Sequence, residues 1–227
     1  MRFAVLLVVA TGCLDGIDPR WQLDHARVVA ARATPPAIPA GGTATLDGLV
    51  AHKGAPVEVV APAQATAAFA PAPLTGIVQT DGATWTVVAP DEATLDAVRG
   101  QLGLPAGAPI TVPIGMVFDG MDPVKKDIVL GMTADNPMMG PVNVDGGPPP
   151  DAIVVPPDTD VPLSVMVPDD FEVAWLTSCG TMHDDDEHDA FLHVLPKDPQ
   201  DGQLAVVIRD PTGGVAWQVW AIRADGS

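Results

Sequence analysis

Residues 183–189 read His-Asp-Asp-Asp-Glu-His-Asp, which places two imidazoles and five carboxylates in seven positions. Hard oxygen donors of this kind suit Ca²⁺, and participation of a histidine would move the preference toward Zn²⁺ or Ni²⁺. The candidate metal ligands are therefore His183, Asp184, Asp185, Asp186, Glu187, His188 and Asp189, with calcium or zinc as the candidate ion and no other cofactor expected. The spacing is neither that of an EF-hand loop, with alternating acids and a central glycine, nor that of a zincin, with two histidines at helical spacing around a glutamate. A solvated acidic loop between strands is the competing expectation. His193, set between Leu192 and Val194, is expected on the opposite face of its strand as a structural histidine.

Other reactive side chains point away from catalysis. Cys179 precedes His183 and His188, but a nucleophilic thiol needs an adjacent base and an electropositive setting, whereas these acids would raise its pKa. It is expected instead as a strand-end thiol packed near Trp175. Ser164 and Ser178 lack a Gly-x-Ser-x-Gly setting. Trp217 and Trp220 should face opposite sides of one strand, one ring in the core and the other at a sheet face or domain junction. Met138-Met139 reads as a loop tucked under the first half of the chain, with a soft binding surface as the alternative. No catalytic residue is assigned and no enzyme activity is expected.

The charge narrows the partners. With 29 acids against 11 bases the chain carries −18, which disfavours nucleic acid and anionic lipid headgroups as direct partners. At the N-terminus, Met1-Arg2 is followed by the apolar run Phe3 to Ala10 and then Thr11-Gly12-Cys13. A charged start and an apolar run too short to span a bilayer make a secretory leader. Ala10-Thr11-Gly12-Cys13 resembles a bacterial lipobox, with Ala10 where Leu is more usual. The resemblance implies cleavage after residue 12, acylation of Cys13, attachment to a lipid bilayer through its acyl chains, and other envelope proteins as candidate partners. Leu14 follows the cysteine, and by likeness to enterobacterial sorting the absence of Asp there points to the outer membrane, facing the periplasm or the cell surface. With Cys13 lipidated, Cys179 is the only thiol left and no intramolecular disulfide can form.

The elements that position these residues read as strands. Alternation in 43–50 turns Ala44, Leu46 and Val50 inward, and in 203–209 it turns Leu204, Val206 and Ile208 inward. Further strands are expected near 25–33, 57–60, 84–88, 110–118, 125–133, 161–167, 171–178, 189–195 and 215–223. Asp210-Pro-Thr-Gly-Gly214 makes 203–223 a hairpin. One helix competes: Asp91 offers an N-cap, Leu95, Val98 and Leu102 share a face, and Gly103 stops residues 92–102. Ala61 to Leu74 is expected as irregular loop or poorly paired edge. Asp145 to Asp151 carries three consecutive prolines and marks a boundary. The organisation expected is a signal peptide 1–12, a tether 13–24, a sandwich-like domain 25–146, a Pro-rich linker 147–160 and a second domain 161–227.

The second half carries a more specific likeness. Glu172 to Thr181, Ala190 to Leu195, Leu204 to Asp210 and Gly213 to Trp217 together resemble the bacterial immunoglobulin-like or PKD-like repeats of envelope proteins. Ala33 to Leu46 resembles the opening of such a domain. The resemblance implies an all-β fold of two immunoglobulin-like β-sandwiches with one short inserted helix, and a core position for Trp175. It implies an envelope lipoprotein acting as a structural or interaction module, with a metal-binding protein using the 183–189 loop as the alternative.

Overall fold

In the computed structural model, which describes residues 19–67 and 69–224, the first half holds nine strands and one helix. They are β1 (Arg27–Thr34), β2 (Ala37–Ile38), β3 (Thr43–His52), β4 (Ala55–Val60), β5 (Gln64–Thr66), β6 (Val78–Thr80), β7 (Trp85–Val88), α1 (Glu92–Leu102), β8 (Ile110–Val117) and β9 (Val124–Leu130). One sheet runs β1-β3-β7-β6, with β4 added on β3, and the other runs β2-β9-β8-β5. The second half holds β10 (Val142–Val144), β11 (Ala152–Val155), β12 (Asp160–Val165), β13 (Glu172–Thr177), β14 (Thr181–His183), β15 (Asp189–His193), β16 (Asp201–Arg209) and β17 (Val215–Ala224). Its sheets run β10-β12-β15-β14 and β11-β17-β16-β13.

Both halves follow one wiring rule. In each, the opening strand pairs antiparallel into one sheet, the chain crosses, and the next strand pairs parallel with the last strand of the other sheet: β2 on β9 and β11 on β17. The remaining strands then divide between the sheets as in an immunoglobulin constant-type sandwich. The fold is all-β, two immunoglobulin-like sandwiches with the inserted helix where it was expected. Each sandwich has its own core, one around Leu46, Ile114, Phe118 and Ile128 and one around Trp175, Leu192, Val206 and Ile222.

The helix runs from 92 to 102 because Asp91 Oδ1 accepts from the Thr94 amide at 2.9 Å and Gly103 takes φ +67° past its end. Its buried face differs from the expected one. Leu95 and Val98 are buried, but Leu102 is 49% exposed and Arg99 takes the third place. The guanidinium is tolerated there because it is tied to Glu92, Asp96 and the Ala108 carbonyl. It also lies against Gly131, where an added Cβ would collide with Nη2.

Two expected boundaries differ from what forms. The stretch 147–160 contains β11, whose four residues between Pro150 and Pro156 pair in register with Ala221–Ala224, and β10 within 25–146 belongs to the second sandwich through β12. Prolines deny ladder donors only at their own positions, so a short strand fits between them. Of the stretch 13–24, residues 19–24 are a built-in strap and not a free tether: Gln22 bridges Thr177, and Leu23 is 1% exposed. Cys13 and the leader lie outside the described residues, and among the described residues no helix is long and apolar enough to cross a membrane.

The sandwiches lie against each other through a third apolar cluster. Val29, Ala30, Leu49 and Ala51 from the β1/β3 sheet meet Leu176, Ala205, Val207 and Val215 from the β13/β16/β17 sheet, with Leu23 between them. Strand β16 is consequently buried on both faces from Leu204 to Ile208: alternate residues serve the second core and the junction.

Candidate functional site

The acidic loop is part of the edge of β13. On one side this strand pairs with β16. On the other, Trp175 N–H donates to the Asp185 carbonyl at 2.8 Å, Thr177 N–H donates to the Trp21 carbonyl at 2.8 Å, and Leu23 N–H donates to the Thr177 carbonyl at 2.9 Å. The loop and the strap thus supply two acceptors and one donor that an exposed edge strand would otherwise lack. Asp184, at φ +56°, makes the sharp bend, closed by Glu187 N–H donating to the Asp184 carbonyl at 3.0 Å. Beneath it the fully buried Trp175 donates its indole N–H to the Glu187 carbonyl at 3.1 Å. Trp175 is a core residue that also holds the loop.

The carboxylates are drawn to a cation already in the chain. Arg20 Nε lies 2.8 Å from Asp185 Oδ2 and Nη2 lies 2.7 Å from Asp186 Oδ1. The hydrogen bond from Arg20 holds the Asp186 carboxyl below the usual carboxylate range, and the pair of acids raises the arginine in turn. Other members of the run point elsewhere. His183 is exposed across from Phe191, and Asp189 lies across from Ser164 in the β12 register. The half-buried His188 accepts the Val165 amide on its carbonyl at 3.0 Å. Asp185 and Asp186 are brought together; the seven residues do not converge. Among the described residues no group of three or more His, Cys, Asp or Glu is arranged to hold a metal ion.

Cys179 is 1% exposed and its thiol donates to the Pro199 carbonyl at 2.9 Å. Burial, aided by Asp198 and Asp201, pushes the thiol up to about 11. No imidazole hydrogen-bonds to it among the described residues. His193 sits on the outer face of its sheet, with Nδ1 2.7 Å from Asp160 Oδ1. Trp220 is buried in the second core, whereas Trp217 lies at the junction under the Arg32 guanidinium, 3.8 Å from the ring centre. Arg32 is itself held in a two-pronged pair with Asp47, at 3.0 and 2.7 Å. Met139 packs on the second core, not under the first half, and Met138 is 90% exposed.

Polar clamps fix the junction at several points. Asn136 donates to the Ala33 carbonyl at 2.8 Å and accepts from the Val215 amide at 2.8 Å, so one side chain joins β1 to β17. Lys126 donates to the Gly213 carbonyl of the hairpin turn, and burial lowers its ammonium below the ordinary lysine value. Gln203 Oε1 accepts from the Val57 amide at 2.6 Å. Beside the clamps a groove of about 900 Å³ runs along β13 between the halves, lined by Arg20, Arg27, Glu172, Asp185 and Arg209 among others. Arg27 Nη1 donates to the Arg20 and Gln22 carbonyls at 2.6 and 3.3 Å, and Arg209 Nη2 donates to the Val29 carbonyl at 3.2 Å.

Sequence reasoning missed Arg20, Arg27 and Arg209 as a group. Arg27 and Arg209 lie 182 residues apart in the chain, and only the docking of the strap and the two sheets makes the three neighbours. The one available signal was the unbroken apolar run Leu204–Ile208, since a strand with one wet face does not afford five consecutive apolar residues.

No protein-family model and no curated protein sequence matches this chain. Among solved structures it is similar to the titin domains Z1Z2 in complex with telethonin, over 87% of this chain and 98% of that one, at 16% identity and a TM-score of 0.27. Tandem Ig repeats of Dlar are similar over 89% and 98%, at 12% identity and a TM-score of 0.31. A nucleoside hydrolase-related hypothetical protein from Saccharophagus degradans is similar over 40% of this chain at 14% identity and a TM-score of 0.32, and the chain spans only 26% of that protein. Scores this low carry no argument, and the fold assignment rests on the strand order described above.

Proposed function

We propose that the chain is a cell-envelope lipoprotein, held at a lipid bilayer by acylated Cys13, whose two immunoglobulin-like sandwiches serve as a structural or interaction module without catalysis. The observation that carries the module reading is the shared junction: sheets buried on both faces, an N-terminal strap laid across them and side-chain clamps between them make one stiff body of the two sandwiches. A stiff body suits holding a partner at a set distance, and Cys179, buried and un-ionised, offers no nucleophile. The lipobox likeness at Ala10 to Cys13 supports anchoring, and the −18 charge leaves the acyl chains to supply the membrane attachment. An outer-membrane location and envelope proteins as partners belong to the same reading.

Metabolic labelling with palmitate tests it. Label should enter the unaltered chain and be absent from Cys13→Ala, with mass spectrometry placing the mature N-terminus at residue 13. Equal labelling of both chains, or an intact Met1, would overturn the anchoring.

A further inference from the structure

Six arginines lie among the described residues, and four have a carboxylate within ion-pairing distance: Arg20, Arg32, Arg99 and Arg223. Among the described residues, Arg27 and Arg209 have none within 4 Å. Both are half-buried, both reach only backbone carbonyls, and both line the same junction groove, one from each sandwich. Burial lowers both guanidiniums below the ordinary arginine value; Arg209 lowers Arg27 further, whereas Glu172 partly offsets the effect on Arg209. A guanidinium left partly dehydrated without a bonded anion is costly. Of the carboxylates that line this groove, Asp185 and Asp186 are taken up by Arg20, whereas Asp169 and Glu172 are exposed, Glu172 standing directly across from Arg209 in the strand register. Two half-buried guanidiniums therefore share the groove with exposed carboxylates at its mouth.

We propose that this groove is a binding site for a small zwitterion, its oxyanion end held by Arg27 and Arg209 and its ammonium end directed outward to Glu172 and Asp169. Guanidinium forks match the planar or tetrahedral oxygens of a carboxylate or phosphate, and the acidic mouth selects against a plain anion. Because Arg27 belongs to β1 and Arg209 to β16, the bound oxyanion would also tie the two sandwiches together. The inference does not depend on acylation at Cys13.

Calorimetric titration of the full chain at fixed ionic strength with O-phosphoethanolamine, inorganic phosphate and ethanolamine tests it. Phosphoethanolamine should bind more tightly than either half alone. Arg27→Gln and Arg209→Gln should each weaken it at least about tenfold, the loss of one charge-assisted bond. Glu172→Gln should weaken phosphoethanolamine and spare phosphate. If Arg209→Gln fails to fold by circular dichroism, Arg27→Gln and the arginine Nε–H resonances of the unaltered chain carry the test, since the ligand should shift two of them. Absence of binding at millimolar ligand, equal affinity in the arginine variants, or phosphate binding as tightly as phosphoethanolamine would each overturn the proposal. Co-flotation of Cys13→Ser protein with phosphatidylethanolamine vesicles would assign the zwitterion to a lipid headgroup. Binding of the soluble probe alone would assign it to a free small molecule.

Discussion

Replacing Trp175 separates two roles that the structure gives one side chain. The ring is fully buried in the second core and its N–H holds the Glu187 carbonyl at 3.1 Å. Trp175→Ala removes both and should cost about 3–5 kcal/mol, the range for deleting a large buried aromatic. Trp175→Phe keeps most of the apolar contact. It should lose about 1 kcal/mol for the hydrogen bond and about 1–2 kcal/mol for the void left by the smaller ring. Urea unfolding with an unchanged m-value would give both numbers. Amide exchange adds a local readout: the Glu187 N–H, bonded to the Asp184 carbonyl, should lose protection in Trp175→Phe while amides of β16 keep theirs. A Trp175→Ala cost below about 1 kcal/mol, well under that range, or a Phe variant as damaged as the Ala variant, would refute the reasoning. So would a Glu187 amide unaffected by the loss of the indole.

Three further outcomes follow from the geometry. Leu49, 1% exposed and packed in the junction cluster and not in either sandwich core, should cost about 2–5 kcal/mol on change to Ala. In calorimetry the halves should then melt separately; one unshifted transition would show the junction to be energetically idle. Because Arg20 holds Asp186 below the ordinary carboxylate range, the pair's stabilisation is present above the unfolded carboxyl pKa of about 4 and is lost as pH falls through the lower folded value. Protection of the Leu23 amide in the strap should fall in that acid window, and less so in Asp186→Asn. With its thiol pushed up to about 11, Cys179 should have roughly one molecule in a thousand ionised at pH 8. A disulfide reagent should therefore label it at the rate of unfolding, and rapid labelling of the folded protein would contradict its burial.

Much of the fold was legible because local chemistry decides it. The period-two runs at 43–50 and 203–209, the Asp210 to Gly214 turn, and the Asp91 cap with its Gly103 stop all rest on interactions within a few residues. The strands left unread were short or at edges. β2, β5, β6, β10, β11 and β14 have two to four residues each, too few to show a period, and they are strands only because a partner supplies hydrogen bonds. Leu102 was misread for a related reason: its spacing fits the buried face, but Arg99, neutralised by Glu92 and Asp96, took the place against Gly131.

The candidate site divides in the same way. Sequence alone determined that the chain is β-rich and that residues 183–189 form an acidic loop, because alternation, turn residues and charge density are properties of contiguous residues; the core position of Trp175 was implied only by the likeness to immunoglobulin-like repeats. Only the tertiary structure decided what that loop does and where the cations are. Arg20 meets Asp185 across 165 residues, and Arg27 comes beside Arg209 across 182, because a strap and two sheets dock through side chains whose apolar character says that they are buried but not against what. Burial can be read from composition and period; the partner cannot, since hydrophobic attraction is non-directional and the pairing is settled by which surfaces fit.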